Sequence, residues 1–329
     1  MRTPTFLLVS LVLGAVLFAL ARALGNDYLF FAGYTVLQYL VLATGWNILG
    51  GYTGYVNFGA SAFFAIGAYT SVVLQKACPL PLPLMVVAGG LVAGLIGLAM
   101  GYLTLRLRGA FFAIGTLALA VVLQTIVVNW DYVGGSRGAY VLRPADIQIA
   151  GLTLPYVQYL FGIMIVLAAV AVTIARAVER SRLGYGFATI RDDEAAAEAC
   201  GVPTLRLKLL ATVLSGALMG MAGAPLPYFI GYLQPSSTFG LDYAINAIAM
   251  PMIGGTTSWA GPVIGAVLLG TLQQFATVTI SSVANLLIVG LLLIGFVIVA
   301  PNGIIGLLQK LRRPASGTSR THHMLRGLR

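Results

Sequence analysis

Histidine and cysteine are almost absent from this 329-residue chain, which has two of each. His322 and His323 both lie in the C-terminal tail, so the apolar segments offer no His/Cys metal cluster and no Cys–His or Ser–His dyad. Cys78 and Cys200 fall on opposite membrane sides in the topology below and are not expected to pair. Charge is also scarce. Charged residues make up 9% of the chain, against about 25% in soluble domains, and only nine are acidic. Proton-coupled carriers keep ionisable groups within their spans; here nearly all fall in loops, with Asp242 the exception near a span. No Gly-x-x-x-x-Gly-Lys-Ser/Thr loop occurs, so ATP hydrolysis by this chain is not expected.

What the chain has in abundance is apolar length. It is 59% hydrophobic with a mean hydropathy of +0.94, in recurring runs of roughly 20 residues, each able to cross the hydrocarbon core. This predicts an all-α fold, a polytopic transmembrane helical bundle. The net charge of +10 reads as positive-inside bias and attraction to anionic lipid rather than nucleic-acid binding. Basic residues gather at Arg2, at Arg106 and Arg108, from Arg176 to Lys208, and from Lys310 to Arg329, which places all four regions and both termini in the cytoplasm. About ten spans follow, near 4–24, 28–50, 58–75, 82–105, 109–130, 155–175, 209–230, 241–255, 260–280 and 284–300. Those at 241–255 and 260–280 are short or interrupted by Gly and Pro and are candidate half-helices. Ala19-Leu-Ala21 resembles a signal cleavage site, although its apolar stretch is long for a signal; cleavage there would leave the remaining topology unchanged. Residues 1–305 form the membrane domain, with a cytoplasmic loop at 176–208, and residues 306–329 form a basic cytoplasmic tail.

Within the spans, Ala62-Phe-Phe-Ala-Ile-Gly67 recurs as Ala110-Phe-Phe-Ala-Ile-Gly115, as a duplicated helical hairpin would produce. Gly90/Gly94, Gly97/Gly101, Gly216/Gly220 and Gly261/Gly265 have the spacing that lets helices approach closely in lipid. Two interruptions, Gly50–Gly59 and Gly254–Pro262, carry two open readings: discontinuous helices beside a translocation path, or tight turns between spans. Candidate path residues are Asn47, Asn57, Gln124, Asp242, Asn246, Gly254 and Gly255; the competing role for the amides is interhelical hydrogen bonding.

Four of the nine acids, Asp192, Asp193, Glu194 and Glu198, crowd into Ile190–Pro203. Asp192 or Asp193 suits an N-cap, Ala195 to Ala197 favour helix, and Gly201 with Pro203 ends it. The expected short helix, about 192–200, either lies on the surface or serves as a knob for a partner's groove.

This segment resembles the coupling segment of ABC-importer permeases, matched here by Glu194-Ala195-Ala196 and Gly201. More specifically, residues 51–71, 214–224 and 253–266 are similar to signatures of the branched-chain amino acid permease family, and the likeness covers most of 30–305. The resemblance implies an ABC-importer permease fold and a non-catalytic subunit in the bacterial inner membrane that binds no cofactor. Its implied partners are a homologous second permease, two ATP-binding cassette ATPases that use the ATP, and a periplasmic substrate-binding protein. It also implies that Arg191, Asp192, Asp193, Glu194, Ala195, Ala196, Glu198 and Gly201 form the ATPase-coupling element. The chain departs from the family pattern near the path: Ala60 stands where histidine is common, Asn57 where serine is, and Gly254-Gly255-Thr256-Thr257-Ser258 replaces a more glycine-rich run. Related permeases carry urea or short amides, so the cargo stays open between these and branched-chain amino acids.

Overall fold

The computed structural model describes residues 3–78, 80–104, 107, 109–143, 146–149, 152–279, 287, 290–291, 294–295 and 303–312. The expected span at 284–300, Arg106, Arg108 and the tail beyond 312 with its histidines lie largely or wholly outside these residues. Nine expected spans correspond to helices: α1 (Thr3–Ala23), α2 (Asp27–Thr53), α3 (Ala60–Ala77), α4 (Leu82–Thr104), α5 (Ala110–Val128), α6 (Tyr156–Glu179), α9 (Thr204–Gly223), α12 (Leu241–Gly254) and α13 (Ala260–Thr279). Among the described residues, seven stretches are long and apolar enough to cross a membrane, the α9 stretch extending to Ile230; α3 and α12 fall short of that mark. At 1.5 Å per residue, the 14 residues of α12 span only about 21 Å.

The core forms around α2, buried almost continuously from Leu40 to Thr53 and packed on α6, α9, α12 and α13. Asn26 caps its start by accepting from the Tyr28 N–H at 3.0 Å, and Gly54, at φ +78°, stops it. Glycine spacing explains the tightest packing. A methyl added at Gly97 or Gly216 would meet the Thr212 or Ala93 carbonyl oxygen at 3.1 Å, so α4 and α9 touch almost backbone to backbone. The α12–α13 hairpin is equally close, with Gly254, Gly261 and Gly265 each lying against backbone of the facing strand of the turn or helix. In contrast α1 and α5 are peripheral, and Phe111, Ile114 and Val121 of α5 are exposed.

The fold decides between the two readings of the interruptions and separates the two copies of the repeat. Both interruptions lie where one helix ends and the next begins, α2 to α3 and α12 to α13, so they are turns and not breaks within a span. The interrupted backbone is instead at 224–240, where α10 (Leu226–Ile230) and α11 (Pro235–Thr238) follow α9; Pro225 and Pro235 at their starts remove backbone donors and restart the helix. The repeated hexapeptide occupies different registers: it begins two residues into α3 but at the first residue of α5. Phe63 and Phe64 are both buried whereas Phe111 is exposed, so the copies are not equivalent in packing.

The bundle has two distinct ends. At one, four short strands form two pairs that composition did not reveal: β1 (Ala139–Tyr140) with β4 (Tyr232–Leu233), and β2 (Asp146–Ile149) with β3 (Leu152–Pro155), all antiparallel. They satisfy backbone groups where the chain leaves the helices. At the other end lie α7 (Arg182–Asp192), α8 (Glu194–Ala199) and both glycine-rich turns; α14 (Gly303–Arg312) packs against α12 and α13.

Candidate functional site

The acidic helix begins later than expected. Asp192 is the last residue of α7, whose Phe187 and Ile190 are buried under the bundle. Asp193 then turns to φ −159°, ψ 107° and caps α8, its Oδ1 accepting from the Ala196 N–H at 3.0 Å. At the far end Gly201 adopts φ +81°, with its N–H bonding the Glu198 carbonyl at 2.9 Å and the Val202 N–H bonding the Ala197 carbonyl at 3.0 Å. This is a Schellman-type stop, which requires the left-handed conformation that glycine adopts without strain. A six-residue helix has little intrinsic stability, so these two ends and its seat on the bundle define it.

The seat is ionic. Lys208, near the start of α9 and 3% exposed, donates from Nζ to Glu194 Oε1 at 2.6 Å and to the Tyr55 hydroxyl at 3.2 Å. The Tyr55 hydroxyl in turn donates to Glu194 Oε2 in a short hydrogen bond. One carboxylate therefore joins α8, α9 and the α2–α3 turn. Beside it Thr204, at the first position of α9, donates to Glu198 Oε1 at 2.6 Å. The outward side of the segment keeps Arg191, Asp192, Asp193, Ala195, Ala196, Ala199 and Gly201 exposed; Arg191 pairs with Asp192 at 3.4 Å. Glu194 and Ala197 thus point inward, whereas Ala195, Ala196, Ala199 and both aspartates face out.

A second carboxylate at the same end joins the two glycine-rich turns. Glu179, ending α6, accepts from the Trp259 N–H and from the Tyr52 hydroxyl, the latter at 3.3 Å. The Arg176 guanidinium, one turn earlier, stacks 4.0 Å from the Phe6 ring centroid and 5.6 Å from that of Trp259. Sequence reasoning passed over Tyr55, Glu179, Thr204 and Lys208. The available signal was scarcity: Glu179 was one of only nine acids and had no assigned task.

The candidate path residues do not converge. Asn57 builds the α2–α3 turn: its Oδ1 accepts from the Gly59 N–H at 2.7 Å and its carbonyl accepts from Trp46 Nε1 at 2.8 Å. Asn246 accepts from Gln273 Nε2 at 2.7 Å, an amide pair fastening α12 to α13. Gln124 is half-buried on peripheral α5, and Asp242 is exposed in the first turn of α12. Gly254 and Gly255 form the α12–α13 turn. Asn47 is buried on α2, one turn before Gly51, where an added methyl would meet both Asn47 Oδ1 and the Thr256 carbonyl oxygen of the α12–α13 turn. Among the described residues no group of three or more His, Cys, Asp or Glu has a metal-binding arrangement.

A bundle of apolar helices of membrane-crossing length defines an integral membrane protein. Residues 28–299 match the family model described as "Branched-chain amino acid transport system / permease component", and the chain belongs to that family. It is similar to the high-affinity branched-chain amino acid transport system permease protein LivM of Escherichia coli (strain K12), 27% identical over 253 residues covering 70% of this chain and 59% of LivM. It is also similar to the probable branched-chain amino acid transport permease protein LivH of Methanocaldococcus jannaschii, 25% identical over 83% of this chain and 90% of LivH. BraD of Pseudomonas aeruginosa, a high-affinity branched-chain amino acid transport system permease protein, is 24% identical over 82% of this chain and 91% of BraD. The chain thus spans somewhat over half the length of LivM. No solved structure matches it.

Proposed function

We propose that this chain is a membrane-spanning subunit of an ATP-driven importer, moving branched-chain or related hydrophobic amino acids into the cytoplasm by alternating access. The observation that carries the reading is α8, a six-residue helix held at both ends and exposing small and acidic side chains at one end of the bundle. Arg176, Arg180, Arg182, Arg191, Arg206 and Lys208 cluster at that end, which supports its facing the cytoplasm. In this reading two ATP-binding cassette ATPases, separate from this chain, bind α8. A homologous permease completes the path, and a periplasmic binding protein delivers solute to the end bearing the strands. Closure of the ATPases moves α8 and shifts the pair of permeases between two states, which requires only that ATP-bound ATPases favour one state over the other. The host membrane is the bacterial inner membrane, with both termini in the cytoplasm.

Urea or short amides are the alternative cargo, kept open by the departures from the family pattern at Asn57 in the α2–α3 turn and Ala60 at the start of α3. An ion-coupled carrier fits poorly. The buried ionisable side chains Arg176 and Lys208 lie at the α8 end rather than mid-span. Uptake of labelled leucine and labelled urea in a deletion strain complemented with this chain separates the cargoes. Leucine uptake restored supports the first reading, and urea uptake alone moves the cargo while keeping the machine. Restoration of neither removes the substrate assignment.

A further inference from the structure

The obvious role for Glu194, as the first acid of an exposed docking helix, is to contact a partner. The geometry assigns it another. We infer that Glu194 is an inward-facing positioning residue that, with Lys208 and Tyr55, makes α8 one rigid piece with the start of α9 and the α2–α3 turn. Rigid linkage of this kind delivers a push on α8 to the membrane helices. The inference rests on the importer reading and adds to it the route by which motion leaves α8.

Two observations support it. First, both Glu194 oxygens are engaged inward, by Lys208 and by Tyr55, and its side chain is 13% exposed against 74% for Asp192. Buried ion pairs contribute little to stability compared with apolar packing, so fixing geometry is the better account of this one. Second, each element reached is itself tightly held. The α2–α3 turn is bonded to α2 through Trp46 and to α5 through the Phe58 N–H on Thr116 Oγ1 at 3.2 Å, and the Tyr55 ring meets Phe112 of α5 edge-on at 5.0 Å. Further along, α9 lies backbone-close to α3 and α4, and close packing transmits displacement instead of absorbing it.

The test uses the complete transporter, this chain with its co-expressed partner subunits, reconstituted in liposomes, reading labelled solute moved per ATP hydrolysed. Glu194→Gln and Lys208→Gln should each lower that ratio roughly fivefold or more, and Tyr55→Phe, which removes one hydroxyl, roughly twofold. The ATPase subunits should still co-purify at the wild-type ratio. Combining Glu194→Lys with Lys208→Glu should recover the ratio above either exchange alone, a result that general destabilisation does not produce. Wild-type ratios in all single variants would overturn the tether while leaving the importer reading intact. So would loss of the ATPases from the Glu194→Gln complex, since that places the residue at the partner interface. A wild-type complex that moves solute without ATP overturns both.

Discussion

Adding one methyl group at Gly67 should destabilise the bundle, while the same methyl at Gly94 should not. Both glycines sit within helices, yet a methyl built at Gly67 falls on the backbone of α9, 2.6 Å from the Gly220 carbonyl carbon and 2.7 Å from its Cα. Carbon atoms prefer about 3.5–4.0 Å, so α3 and α9 must part by about 1 Å, and backbone cannot rotate aside as a side chain does. Overpacking of this kind costs about 1–3 kcal/mol, offset by at most about 1 kcal/mol of improved helix propensity. At Gly94 the methyl meets only Ala217 Cβ at 3.4 Å and the Val213 carbonyl oxygen at 3.5 Å, ordinary contacts. Gly67→Ala should therefore lower the midpoint of thermal unfolding in detergent by several degrees, about 2–4 °C for each kcal/mol of net loss. Gly94→Ala should leave it unchanged or slightly raised, although Gly94 belongs to a Gly-x-x-x-Gly pair and Gly67 does not. Equal shifts for the two variants, or a larger loss at Gly94, would refute the packing assigned to α3, α4 and α9.

Other outcomes follow from the same contacts. Asn246→Leu and Gln273→Leu each leave a buried amide without its partner; the double variant should recover part of the loss, with a coupling of about 0.6 kcal/mol and at most about 1.7 in a double-mutant cycle. Asp193→Ala removes the cap of α8 at a cost of about 1 kcal/mol, and limited trypsin digestion of inside-out vesicles should cut faster at Arg191; an unchanged rate would show that the seat alone holds the helix. Gly201→Pro removes the N–H bonded to Glu198 and cannot reach φ +81°, so it should abolish coupled uptake while the protein still inserts. Normal uptake by this variant would sink the role given to α8.

Helix placement was legible because most spans are apolar runs of membrane length, and eight runs became helices within four residues of their expected ends, whereas α9 begins five residues before and ends seven residues before the expected 209–230. The end of α8 was legible too, since Gly201 and Pro203 stop a helix by backbone chemistry alone. Its start was not: Asp192 and Asp193 are equal candidates for a cap until tertiary contacts seat Phe187 and Ile190 and carry α7 through Asp192. The Glu194–Lys208–Tyr55 cluster joins residues up to 153 positions apart, and composition places Lys208 merely within a basic block. The amides show the same limit. In sequence Asn57 lies in an interruption and Asn246 within a span, but only the fold reveals that one completes a turn and the other a helix pair.

The most direct test of the central claim is the energy source of uptake. Liposomes carrying this chain with its partner subunits should accumulate labelled leucine when ATP is supplied on the α8 side, and ionophores that collapse proton and sodium gradients should leave the rate unchanged. Accumulation by this chain alone, driven by an ion gradient without ATPases, would contradict the account.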